Sequence, residues 1–132
     1  IAREVVRLMK ETEELKENPD FNPVRRRFPT FHDKSPEEQA QLIRKNPDYG
    51  EIVCRCETIT KAEVLQAING PLGATTVTGV KYRCRAMMGR CQGGYCQTRI
   101  TELLMKEKGI PPEALTYERQ GSYIFTGEVR GS

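Results

Sequence analysis

The 132-residue sequence contains one histidine, His32, and places no nucleophile beside it; its carboxylates are scattered along helix faces and caps. Acid-base and triad catalysis therefore have no constellation to rest on. No apolar run approaches the roughly 20 residues that a membrane-crossing helix requires, which excludes a direct membrane span. No Gly-x-Gly-x-x-Gly string occurs, so the dinucleotide-binding fingerprint is absent. Neither charge sign dominates: Lys+Arg 21 against Asp+Glu 18 leaves a net +3, too small a surplus for a nucleic-acid-binding composition. The length fits one domain, or one small domain with tails, and excludes a multi-domain enzyme. The chain opens Ile1-Ala2-Arg3-Glu4 without an initiator Met or an apolar signal core. It reads as an excerpt of a longer polypeptide with no export signal, and a reducing cytoplasmic setting is the expectation.

What the sequence does hold is cysteine. Cys54, Cys56, Cys84, Cys91 and Cys96 all fall between residues 54 and 96, and an odd number excludes complete internal disulfide pairing. In a reducing compartment, clustered cysteines point to metal binding or redox work. Four of them form two close pairs, Cys54-x-Cys56 and Cys91-x4-Cys96, separated by a segment with at least one helix. This is the layout of a four-thiolate metal site. Each short loop supplies two sulfurs, and the helical segment between brings the loops together. Gly89, Gly93 and Gly94 allow backbone N–H groups to approach sulfur closely, and Cys96 sits where a helix begins, near its partial positive charge.

Several helices are legible from period and caps. Residues 1–17 carry Val5, Leu8, Met9 and Leu15 on one stripe and read as an amphipathic helix stopped by Asn18-Pro19. Residues 19–34, with Pro19, Pro23, Pro29, the run Arg25-Arg26-Arg27 and Phe21, Phe28 and Phe31, have no period and read as a linker lying against something. Ser35-Pro36-Glu37-Glu38 and Thr60-Lys61-Ala62-Glu63 are capping boxes that start helices, the first running to about Lys45 and the second ending at Asn69-Gly70-Pro71. Thr75 to Val80 is either extended or the entry to a helix through Thr78 and Gly79. A helix after Cys96 should present Ile100, Leu103 and Leu104 on one face and finish at Gly109. The stretch from Pro111 to Ser132 suggests a short helical turn and a short strand around Tyr123 to Phe125.

Spacing alone leaves the metal open. Structural zinc usually draws on Cys-x2-Cys knuckles, which neither pair provides, though the x4 gap lies within the broader zinc range. Common ferredoxin spacings do not match either. Local charge favours an anionic cluster. Residues 54–99 carry seven basic side chains (Arg55, Lys61, Lys81, Arg83, Arg85, Arg90, Arg99) and two acidic ones (Glu57, Glu63), a local +5, and the rest of the chain is −2. A four-thiolate 2Fe-2S cluster is dianionic when oxidised and gains a further negative charge on reduction, so nearby cations favour the reduced form. A docking surface for an acidic partner, or a solvated face, explains the same cations equally well.

The strings Asp48-Tyr49-Gly50-Glu51-Ile52-Val53-Cys54-Arg55-Cys56-Glu57, Thr78-Gly79-Val80-Lys81 and Gly89-Arg90-Cys91-Gln92-Gly93-Gly94-Tyr95-Cys96 resemble the BFD-like 2Fe-2S domain found behind the flavin domain of anaerobic-type glycerol-3-phosphate dehydrogenases and related FAD-dependent oxidoreductases. The resemblance covers roughly residues 46–106, with both cysteine pairs in matching order and spacing. It implies a mainly α, compact fold with an extended N-terminal arm (1–47), a 2Fe-2S-binding domain (48–108) and an irregular C-terminal tail (109–132). It implies cluster ligation by Cys54, Cys56, Cys91 and Cys96, with FAD on another part of the parent protein and zinc as the competing metal. Ile1 to Met9 resembles the closing helix of a preceding flavin domain. The implied partners are that flavin domain and an electron-acceptor subunit, with no nucleic acid. The implied location is cytoplasmic, or at a membrane surface through partner subunits. The implied job is electron relay from flavin to an acceptor, and the chain alone is not expected to be catalytic. The alternative is a structural zinc module that docks the parent to partner subunits.

Relatives of that kind commonly carry threonine where this sequence has Cys84, so Cys84 reads as a spare thiol, most simply a half-buried small hydrophobe. His32 reads as an exposed loop residue, Met87-Met88 as core packing or a cap over the cluster, and Tyr95 as packing over the metal loop. Arg25 to Arg27 read as a solvated run or an interdomain contact surface.

Overall fold

The computed structural model describes residues 1–24 and 29–127. The fold is mainly α, with one small two-stranded sheet: α1 (Ala2–Thr12), α2 (Pro36–Lys45), β1 (Ile52–Cys54), β2 (Ile59–Thr60), α3 (Lys61–Asn69), α4 (Val77–Cys84) and α5 (Gln97–Lys108), with 3-10 turns at Phe31–Asp33, Pro47–Gly50 and Pro112–Ala114. Helices α3, α4 and α5 pack on one another. Their shared core holds Val64, Ile68, Val77, Val80, Ile100 and Leu104, joined by Val53 and Ile59 from the strands.

Helix starts follow the sequence closely. Ser35 caps α2 and Thr60 caps α3, each closing a reciprocal box with Glu38 and Glu63. Such a cap contributes about 1 kcal/mol by satisfying N–H groups the helix cannot pair itself. Glu63 does more. Buried beneath the arm, its carboxylate accepts from Thr60 N and Oγ1 and, across 32 residues, from the backbone N–H of Phe31 at 3.1 Å. Phe31 in turn stacks on Tyr49, ring centroids 6.1 Å apart, and the Tyr49 hydroxyl accepts from Gln66 Nε2 at 2.7 Å. The segment around Phe31, expected as linker, is thus fastened to the domain at its far end.

Other expectations change. The first helix ends at Thr12 rather than Glu17, and every residue from 1 to 24 is exposed. The Thr75–Val80 segment is the entry to α4, with the Thr76 hydroxyl accepting from Gly79 N at 3.0 Å, so the helical alternative holds and the extended one does not. Around Tyr123 there is a single bridge to Thr116 rather than a strand. The segment after α5 is nevertheless bound to the core. Leu115 is 0 % exposed, and the carbonyls of Thr116 and Tyr117 accept from Val77 N and Thr78 N at the start of α4. The Arg25–Arg27 run and Phe28 lie outside the described residues.

Two stability measurements check this layout. Deleting residues 1–24 removes no buried side chain and should leave the thermal midpoint within about 2 °C. Leu115→Ala opens a cavity in the helix core and should cost about 2–5 kcal/mol in urea unfolding.

Candidate metal centre

The first cysteine pair sits on a tight hairpin. Strand β1 ends at Cys54, and the chain turns through Arg55–Thr58 to pair antiparallel with β2, Ile52 opposite Thr60. Cys54, the last residue of the strand, is buried, 1 % exposed, and Cys56, beyond the strand on the turn, is exposed. The second pair spans a glycine-rich loop that leads into α5. Cys96 takes the N-cap position of α5 and is 0 % exposed, and Cys91 is exposed. Each loop thus contributes one buried and one exposed thiol.

The loops meet at Gly89. A Cβ there would lie 2.1 Å from the Cβ of Cys56, so only a residue without a side chain lets the backbone come so close. Gly93, at φ +94°, makes a similar close approach, since a Cβ would lie 2.9 Å from Cε of Met87. The result is two facing thiol pairs. Cys56 Sγ and Cys91 Sγ are 3.5 Å apart, and Cys54 lies close enough to Cys96 to help raise its pKa. The structure sets the four sequence-predicted cysteines as two contacts, Cys56 with Cys91 and Cys54 with Cys96. Among the described residues, no three His, Cys, Asp or Glu side chains gather as a site for one metal ion.

The pairs differ electrostatically. N–H donation from Tyr95, the contact with Cys56 and N–H donation from Gly93 hold the Cys91 thiol below its ordinary pKa. Burial, with Cys54 alongside, pushes Cys96 up to about 12, against one opposing N–H from Met87. Cys84, expected as a half-buried spare, packs against the core, donates to Val80 O at 3.3 Å, and is pushed up to about 11 by burial. The donor set is soft sulfur accompanied by backbone N–H groups, with glycine clearance between the loops. That chemistry suits iron bridged by sulfide, whose extra negative charge needs such donors.

Asp48 and Glu51, just outside the segment, lower the local +5 to +3. Lys61 pairs with Asp48 at 2.9 Å and Glu51 at 3.5 Å, Arg99 pairs with Glu51 and donates to Ile52 O at 3.3 Å, and Arg85 pairs with Glu57 at 3.4 Å. Arg99 thereby ties α5 to the start of β1 and helps hold Cys96 against Cys54. Arg55 stands over the Tyr95 ring, 4.2 Å from its centroid, so Tyr95 braces the two loops across their exposed thiols and remains 42 % exposed. Met87 is core, as expected, and Met88 is half-buried. His32 is exposed and paired with Asp33 at 2.8 Å, away from the cysteines in sequence and in its contacts.

Backbone strain marks the same region. Thr58, Arg85, Met87 and Gln92 all have positive φ, between 48° and 69°, and none is glycine. All four lie in or beside the segments that carry the cysteines, in a conformation that costs a non-glycine residue roughly 1 kcal/mol or more. Nothing in the residue types announces them.

Comparison with known proteins adds an independent finding. Residues 52–106 match the family described as "BFD-like [2Fe-2S] binding domain", and all four cysteines fall inside the match. The chain is 46% identical over 117 residues to a glycerol 3-phosphate dehydrogenase of Caloramator mitchellensis, a match covering 89% of this chain and 24% of that protein. It is 33% identical over 69 residues to one subunit of the anaerobic glycerol-3-phosphate dehydrogenase of Haloferax volcanii, over 52% of this chain and 11% of that one. With an opine oxidase subunit of Rhizobium meliloti it shares 36% over 71 residues, 54% of this chain and 13% of the other. The chain therefore spans about a quarter or less of the length of these curated relatives. No solved structure was found to match it.

Thiol chemistry tests the geometry without any metal. The thiolate is the nucleophile, so at pH 8 iodoacetamide should label Cys91 and Cys56 first and Cys54 and Cys96 last, read by peptide mass spectrometry. Cys84 and Cys96 keep their protons in the fold past the ordinary thiol pKa of 9.0, so the folded state binds more protons than the unfolded chain above that pH. The metal-free fold should lose stability as pH rises from about 9 towards about 12, as urea midpoints at successive pH values would record. Gly89→Ala should cost about 1–3 kcal/mol by forcing the loops apart.

Proposed function

We propose that residues 52–106, which match the family described as "BFD-like [2Fe-2S] binding domain", bind the cluster through Cys54, Cys56, Cys91 and Cys96 as an electron-transfer module of an FAD-dependent dehydrogenase. The glycerol-3-phosphate type is the parent we favour, because the relative matched over 89% of this chain bears that name. The observation that carries the ligand set is the facing of two thiol pairs from loops 34 residues apart in sequence, 3.5 Å at the Cys56–Cys91 pair. A 2Fe-2S cluster, when bound, supplies a one-electron carrier suited to taking single electrons from a two-electron flavin.

This chain's own residues then do three things. The thiols fix position and, as thiolates, supply negative charge. The N–H groups of Gly93 and Tyr95, aimed at Cys91, and of Met87, aimed at Cys96, stabilise that charge and raise the potential. The core cluster that holds Cys54 and Cys96, Met87, Ala86 and Ile59 among its members, keeps the buried pair from water, and low local dielectric strengthens the N–H contact there. Substrate oxidation and FAD binding are assigned to other parts of the parent, in keeping with the small share of each relative that this chain covers. We also propose that residues 48–108 are the cluster-binding unit, with 1–47 as connecting arm and 109–132 as tail. The packing of Phe31 and Leu115 makes the stable folded body somewhat larger than that unit.

Anaerobic reconstitution with iron and sulfide tests the reading. Visible absorption and electron paramagnetic resonance should show a reducible 2Fe-2S centre, retained in Cys84→Ser and lost in Cys91→Ser. Stoichiometric zinc uptake without a reducible iron signal would establish the structural zinc module instead. Loss in both variants would discard the ligand set.

A further inference from the structure

Buried and exposed thiols are not mixed around this site; they are sorted into pairs. Cys54 and Cys96 are buried in the helix core, in one cluster with Met87, Ala86 and Ile59, and Cys56 and Cys91 face solvent together, 3.5 Å apart. Electron transfer slows exponentially with distance, so a partner approaching over the core would be held off by its side chains. At the Cys56–Cys91 edge both cysteines are themselves exposed.

The rim of that edge has a definite chemistry. Arg55 is stacked on Tyr95, and both are exposed. Arg90 is exposed and has no ion pair among the described residues. Arg85 carries a charge answered by Glu57, whereas Lys61 and Arg99 are taken up by Asp48 and Glu51. Among the described residues, the charges left free beside the exposed sulfurs are therefore the positive ones of Arg55 and Arg90. The flat, half-exposed Tyr95 ring under Arg55 gives a contact surface of the kind found at the centre of protein interfaces.

We infer that electrons leave the module at the Cys56–Cys91 edge, through a docking face formed by Arg55, Tyr95 and Arg90 that fits the acidic surface of a one-electron acceptor protein. This rests on the electron-transfer reading above and adds the place and polarity of exchange. A steering field from two cations fixes how the partner arrives and raises the encounter rate in a salt-dependent way.

Two redox complexes of opposite charge probe the face. The reconstituted, reduced protein is reoxidised at low ionic strength by tris(oxalato)cobaltate(III), a trianion, or by hexaamminecobalt(III), a trication. In each case one electron leaves the protein and cobalt(III) becomes cobalt(II). The quantity read is the ratio of the two rate constants. Arg55→Glu with Arg90→Glu should lower the anion-to-cation ratio at least about tenfold, and Arg90→Glu alone should lower it about threefold. Lys106→Glu, the same charge change ten residues along α5 from Cys96 and so about 15 Å away, should leave it near the wild-type value. An equilibrium readout accompanies the rates: redox-inert tris(oxalato)chromate(III) should broaden the Arg90 side-chain nuclear magnetic resonance signals of the wild type before those of Lys106. Every variant is first checked for its iron signal. An unchanged ratio in the Arg90 variant, or an equal shift in Lys106→Glu, overturns the docking face while leaving the cluster assignment intact. A wild-type chain with no reducible iron overturns the electron-transfer reading and this inference with it.

Discussion

The whole site depends on one close contact, the backbone of Gly89 lying against the side chain of Cys56. Two loops far apart in sequence must bring their sulfurs to one another, and a side chain at residue 89 would push them apart, its Cβ lying 2.1 Å from the Cβ of Cys56. Removing the side chain at one residue solves this. The three-helix core then supplies the rigidity that a glycine contact lacks. Helix α3 follows directly from the hairpin that carries Cys54 and Cys56, α5 begins at Cys96, and α4 packs against both. Each helix end is thus also an end of the site, and packing that defines the helices defines the distance between thiol pairs.

That arrangement gives the thiols unequal environments from equal chemistry. Cys54 and Cys96 sit at positions fixed by the core, the last residue of a strand and the cap of a helix, and are buried for that reason. Cys56 and Cys91 sit on the turns beyond and are exposed. Burial disfavours thiolate at Cys96, and N–H donors favour it at Cys91. A metal binding all four must therefore displace protons held with different strength, and its charge is met by N–H groups on both sides of the site. The fold separates an insulated side from an accessible one without any lid.

Much of this was legible in the sequence, because the relevant signals are local. Reciprocal capping at Ser35 and Thr60 depends on four residues each, and both helices start where those residues place them. Cysteine spacing and loop glycines are likewise local, and the contact of Cys56 with Cys91 joins the two loops that carry them. What escaped is non-local or carried by unremarkable residues. The β1–β2 hairpin is three residues against two with an irregular register, too short to show alternation. The acids that neutralise Lys61 and Arg99 stand at 48 and 51, outside the cysteine segment, so counting charge within that segment overstated the free positive charge. Leu115 is one apolar residue in a polar stretch, and its burial depends on α4 exposing N–H groups that Thr116 and Tyr117 answer.

The positive-φ residues explain why the segment between α4 and the second cysteine pair carries so little regular structure. Arg85 closes α4 in the left-handed conformation and Met87 adopts it again two residues later. These turns reverse the chain sharply enough to drive the Met87 side chain into the core beneath Gly93 and to bring its N–H onto Cys96. A glycine at 87 would relieve the backbone but remove the side chain that fills this space, and arginine at 85 places its charge opposite Glu57 on the first loop. The strain is therefore offset by contacts that only these side chains make. All of those contacts join one thiol-bearing loop to the other or to the core between them, so the backbone is least relaxed where the relative position of the four sulfurs is decided.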